Sequence, residues 1–92
     1  MMIARVIGNV WATRKEEELN GLKLLIVQPI DSNNKAIRHE LVAADRIGAG
    51  INDEVLITSG GAARYILSSS PLPIDAVVIG IIDSKEVWGE EQ

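Results

Sequence analysis

The segment that most restricts the fold is MIARVIGNVWAT, Met2 to Thr13. Every even position in it is apolar (Met2, Ala4, Val6, Gly8, Val10, Ala12), while the odd positions mix Ile3, Ile7 and Trp11 with Arg5 and Asn9. Alternation with period two is the pattern of a β-strand that lays one face on a core. The odd face, half apolar and half polar, is less like free solvent than like a contact surface. Gly8 stands in the middle of this strand, and Gly80 takes the same place in the last apolar segment, AVVIGII, Ala76 to Ile82. A glycine inside a strand gives up side-chain packing and marks a bend or a close backbone approach. Two long strands that bend at their centres suit a small closed barrel.

The remaining segments supply the other staves. LKLLIVQPI, Leu22 to Ile30, is apolar at nearly every position, as expected of a strand covered on both sides. In so short a chain the second cover must come from outside the domain. DSNNK, Asp31 to Lys35, is a turn rich in residues that tolerate left-handed backbone angles, so a hairpin partner is expected over Ala36 to Ala44. A Gly48-Ala49-Gly50 loop leads to a strand from Glu54 to Thr58. Ser59 and Gly60-Gly61 then precede AARYIL, in which Ala62, Ala63, Ile66 and Leu67 share a helical face until the prolines of SSSPLP end it. The final strand is expected from Ala76 to about Trp88. The expected fold is mainly β, a small five-stranded OB-like barrel with one short helix between the fourth and fifth strands, in a single domain over residues 1–92.

Composition bears on what such a barrel can do. The 92 residues can build one core, yet they include 29 Val, Ile and Leu and nine Ala, with no Phe and only Trp11, Tyr65 and Trp88 as aromatics. That is more aliphatic surface than a domain of this size can hide within itself, so part of it is expected to face another subunit. The net charge of −4, with scattered basic residues, gives no concentrated cationic face for nucleic acid, and two tryptophans are too few for a stacking platform. The absence of cysteine excludes a disulfide framework, a thiolate metal site and a cysteine nucleophile. The longest apolar run is far short of the ~20 residues of a membrane span, and no basic and apolar leader opens the chain, so a cytoplasmic protein is expected.

The glycine-rich stretch RIGAGINDEVLITSGGAAR, Arg46 to Arg64, raises the question of phosphate binding. Gly48-Ala49-Gly50 begins the G-x-G-x-x-G pattern, but Asp53 stands at its third position and a strand follows where a helix N-terminus is needed. The lysine of a P-loop is missing as well. Ser59-Gly60-Gly61 reads either as an anion-binding helix start or as a turn with a cap. His39, the sole histidine, has Glu40 on the opposite strand face and reads as a surface or interface residue. Glu16 to Glu18 lack the spaced pattern of a calcium loop, and Ser59 lacks the G-x-S-x-G elbow of a nucleophile. No catalytic, metal-binding or cofactor-binding residue is therefore assigned, and no enzyme is expected. From the residues alone, a small OB-type ligand-binding module acting as monomer or dimer stands as an alternative to a structural protein.

Taken in order, ARVIGNVWAT, GLKLLIVQPID, VAADRIGAGINDEVLITSGGAAR and PIDAVVIGIID resemble the pentameric vertex proteins of bacterial microcompartments, the EutN/CcmL family. The similarity spans Met2 to about Val87. It implies a five-stranded barrel that assembles into a disc-like homopentamer and caps the five-fold corners of a polyhedral shell, beside hexameric shell proteins that tile the facets. It also implies a non-enzymatic role, with no cofactor. Ile47, Gly48, Ala49 and Gly50 become candidates for a loop near the five-fold axis, edging a central opening or only forming a tight turn. Candidate subunit contacts are Ile3, Ile7 and Trp11 on the odd face of the first strand, Leu25 and Val27 in the second, and Arg64.

Overall fold

The computed structural model describes residues 1–11, 17–19, 21–60, 63 and 74–88. Five strands, β1 (Met2–Val10), β2 (Lys23–Pro29), β3 (Leu41–Asp45), β4 (Glu54–Ser59) and β5 (Ala76–Ile81), close into a barrel in the order β1-β2-β3-β5-β4. Every neighbouring pair is antiparallel except β3 with β5, which meet in parallel at Ala44 and Val77. A 3-10 turn, Glu17–Leu19, precedes β2. The helix expected at Ala62 to Leu67 lies outside the described residues apart from Ala63, which is buried.

The interior is lined by Ala4 and Val6 of β1, Leu25 and Val27 of β2, Ala43 of β3, Val55 and Ile57 of β4, and Ala76 and Val78 of β5. Alanines face branched aliphatics because the lumen of a five-stranded barrel is narrow; interior positions of small barrels alternate small and large to fill it. The same narrowness gives a physical reason for a core without Phe.

Each mid-strand glycine sits beside a register shift. In the β1–β2 ladder Val6 pairs with Val27 but Gly8 pairs with Ile26, so Ile7 is an extra residue. In the β4–β5 ladder Ile57 pairs with Val78 but Leu56 with Gly80, so Ile79 is extra. Cross-strand partners share a face of the sheet. The side chain of Ile26 therefore lies over Gly8, where a Cβ would come to 3.4 Å from Ile26 Cδ1, and Leu56 lies over Gly80 at 3.9 Å. Inserting one residue also reverses the parity of β1. Ala4 and Val6 point inward as the alternation predicts, but beyond Ile7 it is Asn9 that shares a face with inward Leu25, while Gly8 and Val10 turn outward with Ile26 and Leu24.

Two strands are shorter than their sequence suggests. The hairpin partner expected over Ala36 to Ala44 becomes a ladder only at Leu41–Asp45. Residues 32–40 are all exposed; they form an arm whose polar side chains have no inward face to bury. A bridge between Ile30 and Ala36, and the Gln28 amide donating to Arg38 O at 2.7 Å, hold the arm's base. Its tip is an Asx turn in which the Asp31 carboxylate accepts the N–H groups of Asn33 and Lys35, and these bonds hold its carboxyl below the usual range. β5 likewise stops at Ile81, since DSKE that follows offers no apolar alternation. The segment beyond it is tied down through Lys85, whose ammonium reaches Asn34 Oδ1 at 2.8 Å and Glu54 at 3.2 Å, with Arg5 on the same carboxylate at 3.8 Å.

Candidate functional site

The glycine loop follows β3 at one end of the barrel, and its organiser is Asp45. Asp45 pairs with Lys23 across the β2–β3 ladder and points inward. It is the single buried charged side chain among the described residues, 3% exposed. The loop folds over it. Ile47 N–H donates to Oδ1 at 2.8 Å, Ala49 N–H to Oδ2 at 2.8 Å, and Gly48 N–H lies 3.3 Å from both oxygens. Lys23 Nζ donates to Ala49 O at 2.8 Å and lies 4.0 Å from Oδ2. Successive amides of this kind are what a phosphate-binding nest would use. Here the chain's own carboxylate fills the nest, which answers the phosphate question more firmly than the missing motif positions do.

Beyond Ala49 the loop is sewn to β1. Gly50 N–H donates to Asp53 Oδ2 at 2.8 Å, Asn52 N–H to Val6 O at 2.8 Å, and Val6 N–H to Asp53 O at 2.9 Å. Gly48 has φ of +105°, a backbone angle that glycine alone adopts readily, and Asn52 sits at +74°. Gly50 does not have a positive φ, so of the two loop glycines only Gly48 is required by its backbone angle. The methyl of Ala49 is fully buried and belongs to the core. Ile47 and Ile51 are the outward apolar residues, 53% and 51% exposed.

Gly60, the described member of the second glycine pair, is equally committed to the backbone. Gly60 has φ of +74°, and its N–H donates to Asp75 O at 2.9 Å, closing the connection between β4 and β5. That donor is unavailable to an anion; Gly61 lies outside the described residues. Ser59 is the exposed last residue of β4, and His39 is exposed on the arm.

The family model for the ethanolamine utilisation protein EutN and carboxysome proteins matches residues 1–83. The chain belongs to the EutN/CcmL family. It is 45% identical to the carboxysome shell vertex protein CcmL of Synechococcus elongatus, over 95% of this chain and 88% of that one. Among solved structures it resembles CcmL of Gloeobacter violaceus with a TM-score of 0.87 and 45% identity, covering 95% of this chain and 90% of that one. It also resembles GrpN, a pentameric microcompartment shell protein of Rhodospirillum rubrum, with a TM-score of 0.85 and 36% identity over 96% of this chain and all of that one.

On this EutN/CcmL-family barrel the expected contact residues divide. Ile7, the bulge residue, is 43% exposed and Trp11 is 90% exposed, while Ile3 is half-buried, paired with outward Leu56. Leu25 and Val27 are fully buried inside the barrel, so their side chains are not available to a neighbour. A strand that is apolar on both faces does not reveal which face points inward, and the outward residues of β2 are Leu24 and Ile26 instead. Arg64 lies outside the described residues. Sequence reasoning missed Val42, paired with Ile26 and 47% exposed, together with Ile51. It also missed a groove of about 360 Å³ lined by Asn9, Val10, Trp11, Leu22, Lys23, Leu24, Gly50 and Ile51. The signal for Val42 and Leu24 was present in the β2–β3 ladder register, which fixes the outward set once the inward set is known.

Proposed function

We propose that this chain is a structural shell subunit whose homopentamer caps the five-fold vertices of a bacterial microcompartment in the cytoplasm. The observation that carries the reading is the set of large apolar side chains left outside a barrel whose core is already filled. Ile7, Val42, Ile47 and Ile51 are each exposed by 43% to 53%, and Trp11 by 90%. A monomer of this size has no use for so much exposed aliphatic surface, whereas a cyclic assembly in which every subunit offers one face and receives another covers it. The similarity to a vertex protein and to a pentameric shell protein supports the same conclusion.

The mechanism is geometric. A flat layer of hexameric shell proteins cannot close into a polyhedron without five-fold points, and a barrel of fixed wedge angle repeated around a ring supplies them. The relevant physical property is rigidity of the barrel. Closed ladders on all five strands, and loops whose amides are bonded within the chain, hold the angle between the two contact faces. No reaction is needed, and the glycine-loop amides that chemistry would recruit are engaged in the fold.

Deleting this chain from its host is expected to leave shell layers that form but do not close, seen by electron microscopy as elongated or open bodies. Closed polyhedra of normal size in a strain without a second vertex protein would overturn the reading.

A further inference from the structure

We infer that Asp45 and Lys23 form a latch that sets the assembly-competent shape of the Ile47 to Ile51 loop before a second copy of this chain covers it. The inference rests on the vertex-pentamer reading and adds to it the residues that prepare one contact face.

The loop needs an organiser. Gly48 and Gly50 give it more backbone freedom in the unassembled subunit than a loop of other residues would have, and ordering that freedom opposes association unless it is done beforehand. Asp45 does it from below through three consecutive amides. Bonds from N–H groups to an ionised carboxylate are about twice as strong as neutral ones. Lys23 does it from the side, neutralising the carboxylate and holding the Ala49 carbonyl. Together they turn Ala49 into the core and leave Ile47 and Ile51 outward. Lys23, Gly50 and Ile51 also form part of the wall of the groove edged by Trp11. The latch and the apolar contact surface are thus built from the same few residues. Without the carboxylate, the buried Ala49 amide and the part-buried amides of Ile47 and Gly48 lose their acceptor, and the groove loses a fixed wall.

The test uses the full chain and follows ring dissociation on dilution by mass photometry or native mass spectrometry. Asp45→Ala removes one carboxylate group, and formate is that group as a free anion. The variant ring is expected to dissociate at a concentration at least about tenfold above that of the wild type, the equivalent of losing one net charge-assisted bond per contact. Sodium formate should restore it, sodium chloride of equal ionic strength should not, and the wild type should respond to neither. A purely structural loss of stability would not distinguish formate from chloride. Wild-type dissociation of Asp45→Ala overturns the latch, as does equal behaviour in formate and chloride. If Asp45→Ala fails to fold, Lys23→Met keeps the carboxylate and carries the test. It should show a wild-type far-ultraviolet spectrum with a ring several-fold weaker, and an unchanged ring overturns the latch. A wild-type chain that is monomeric at every concentration overturns the vertex reading itself, and that result is seen before any variant is made.

Discussion

Replacing Leu25 with alanine should cost the folded subunit about 3 kcal/mol, measured by urea unfolding of the dissociated chain. Leu25 is fully buried, shares its inward face with Ala43 of β3, and is among the largest side chains in the barrel. Its removal leaves a cavity that the barrel cannot collapse to fill, because closed ladders fix the strands on either side. A domain of 92 residues has a total stability on the order of 5–14 kcal/mol, so one such change consumes a large share of it. Were Leu25 a contact between subunits instead, the isolated subunit would unfold at the wild-type urea midpoint and only the ring would weaken. That outcome would contradict the inward placement of Leu25 on β2.

Ala49→Phe should be equally damaging, by the opposite route. The methyl of Ala49 is fully enclosed, its N–H is bonded to Asp45 and its C=O to Lys23. A phenyl group has no space there. Overpacking costs about 1–3 kcal/mol in a well-packed core, and here the backbone shift it forces would also break the two bonds that hold the loop. The expected result is a loss of about 3 kcal/mol in subunit stability together with loss of the ring. Ile47→Phe is the matching control: Ile47 is 53% exposed, and the change should stay within about 0.5 kcal/mol. A stable ring carrying Ala49→Phe would show that the methyl faces an opening after all.

The closed barrel was legible in the sequence because the two properties that define it are local. Alternation in Met2 to Val6 shows a half-buried strand, and the glycines at 8 and 80 show where long strands must change register. The sense of the alternation after Gly8 was not legible. A bulge at Ile7 leaves the order of apolar residues intact while turning them to the opposite face. The same limit governs LKLLIVQPI, where Leu24 to Val27 are all apolar and only the ladder with β3 decides that Leu25 and Val27 go in while Leu24 and Ile26 go out. The glycine loop is legible as a backbone device, but the group that fills it is not named by its glycines. Its decisive member, Asp45, stands immediately before the glycine-rich stretch, and an Asp two to four residues ahead of Ile47, Gly48 and Ala49 is the available sign of a carboxylate capping successive amides. The turn at Asp31 to Lys35 predicts a strand from Ala36, but Arg38, His39 and Glu40 break the apolar alternation and residues 36–40 are all exposed, so the ladder begins only at Leu41.

The exposed aliphatic residues give the ring its expected strength and its most direct test. Native mass spectrometry of the purified chain, whose subunit is 10.0 kDa, should give a dominant species of five times that mass that falls to single subunits on dilution. A chain that remains a stable monomer at tens of micromolar, or that closes into a ring of any other number, would contradict the vertex assignment.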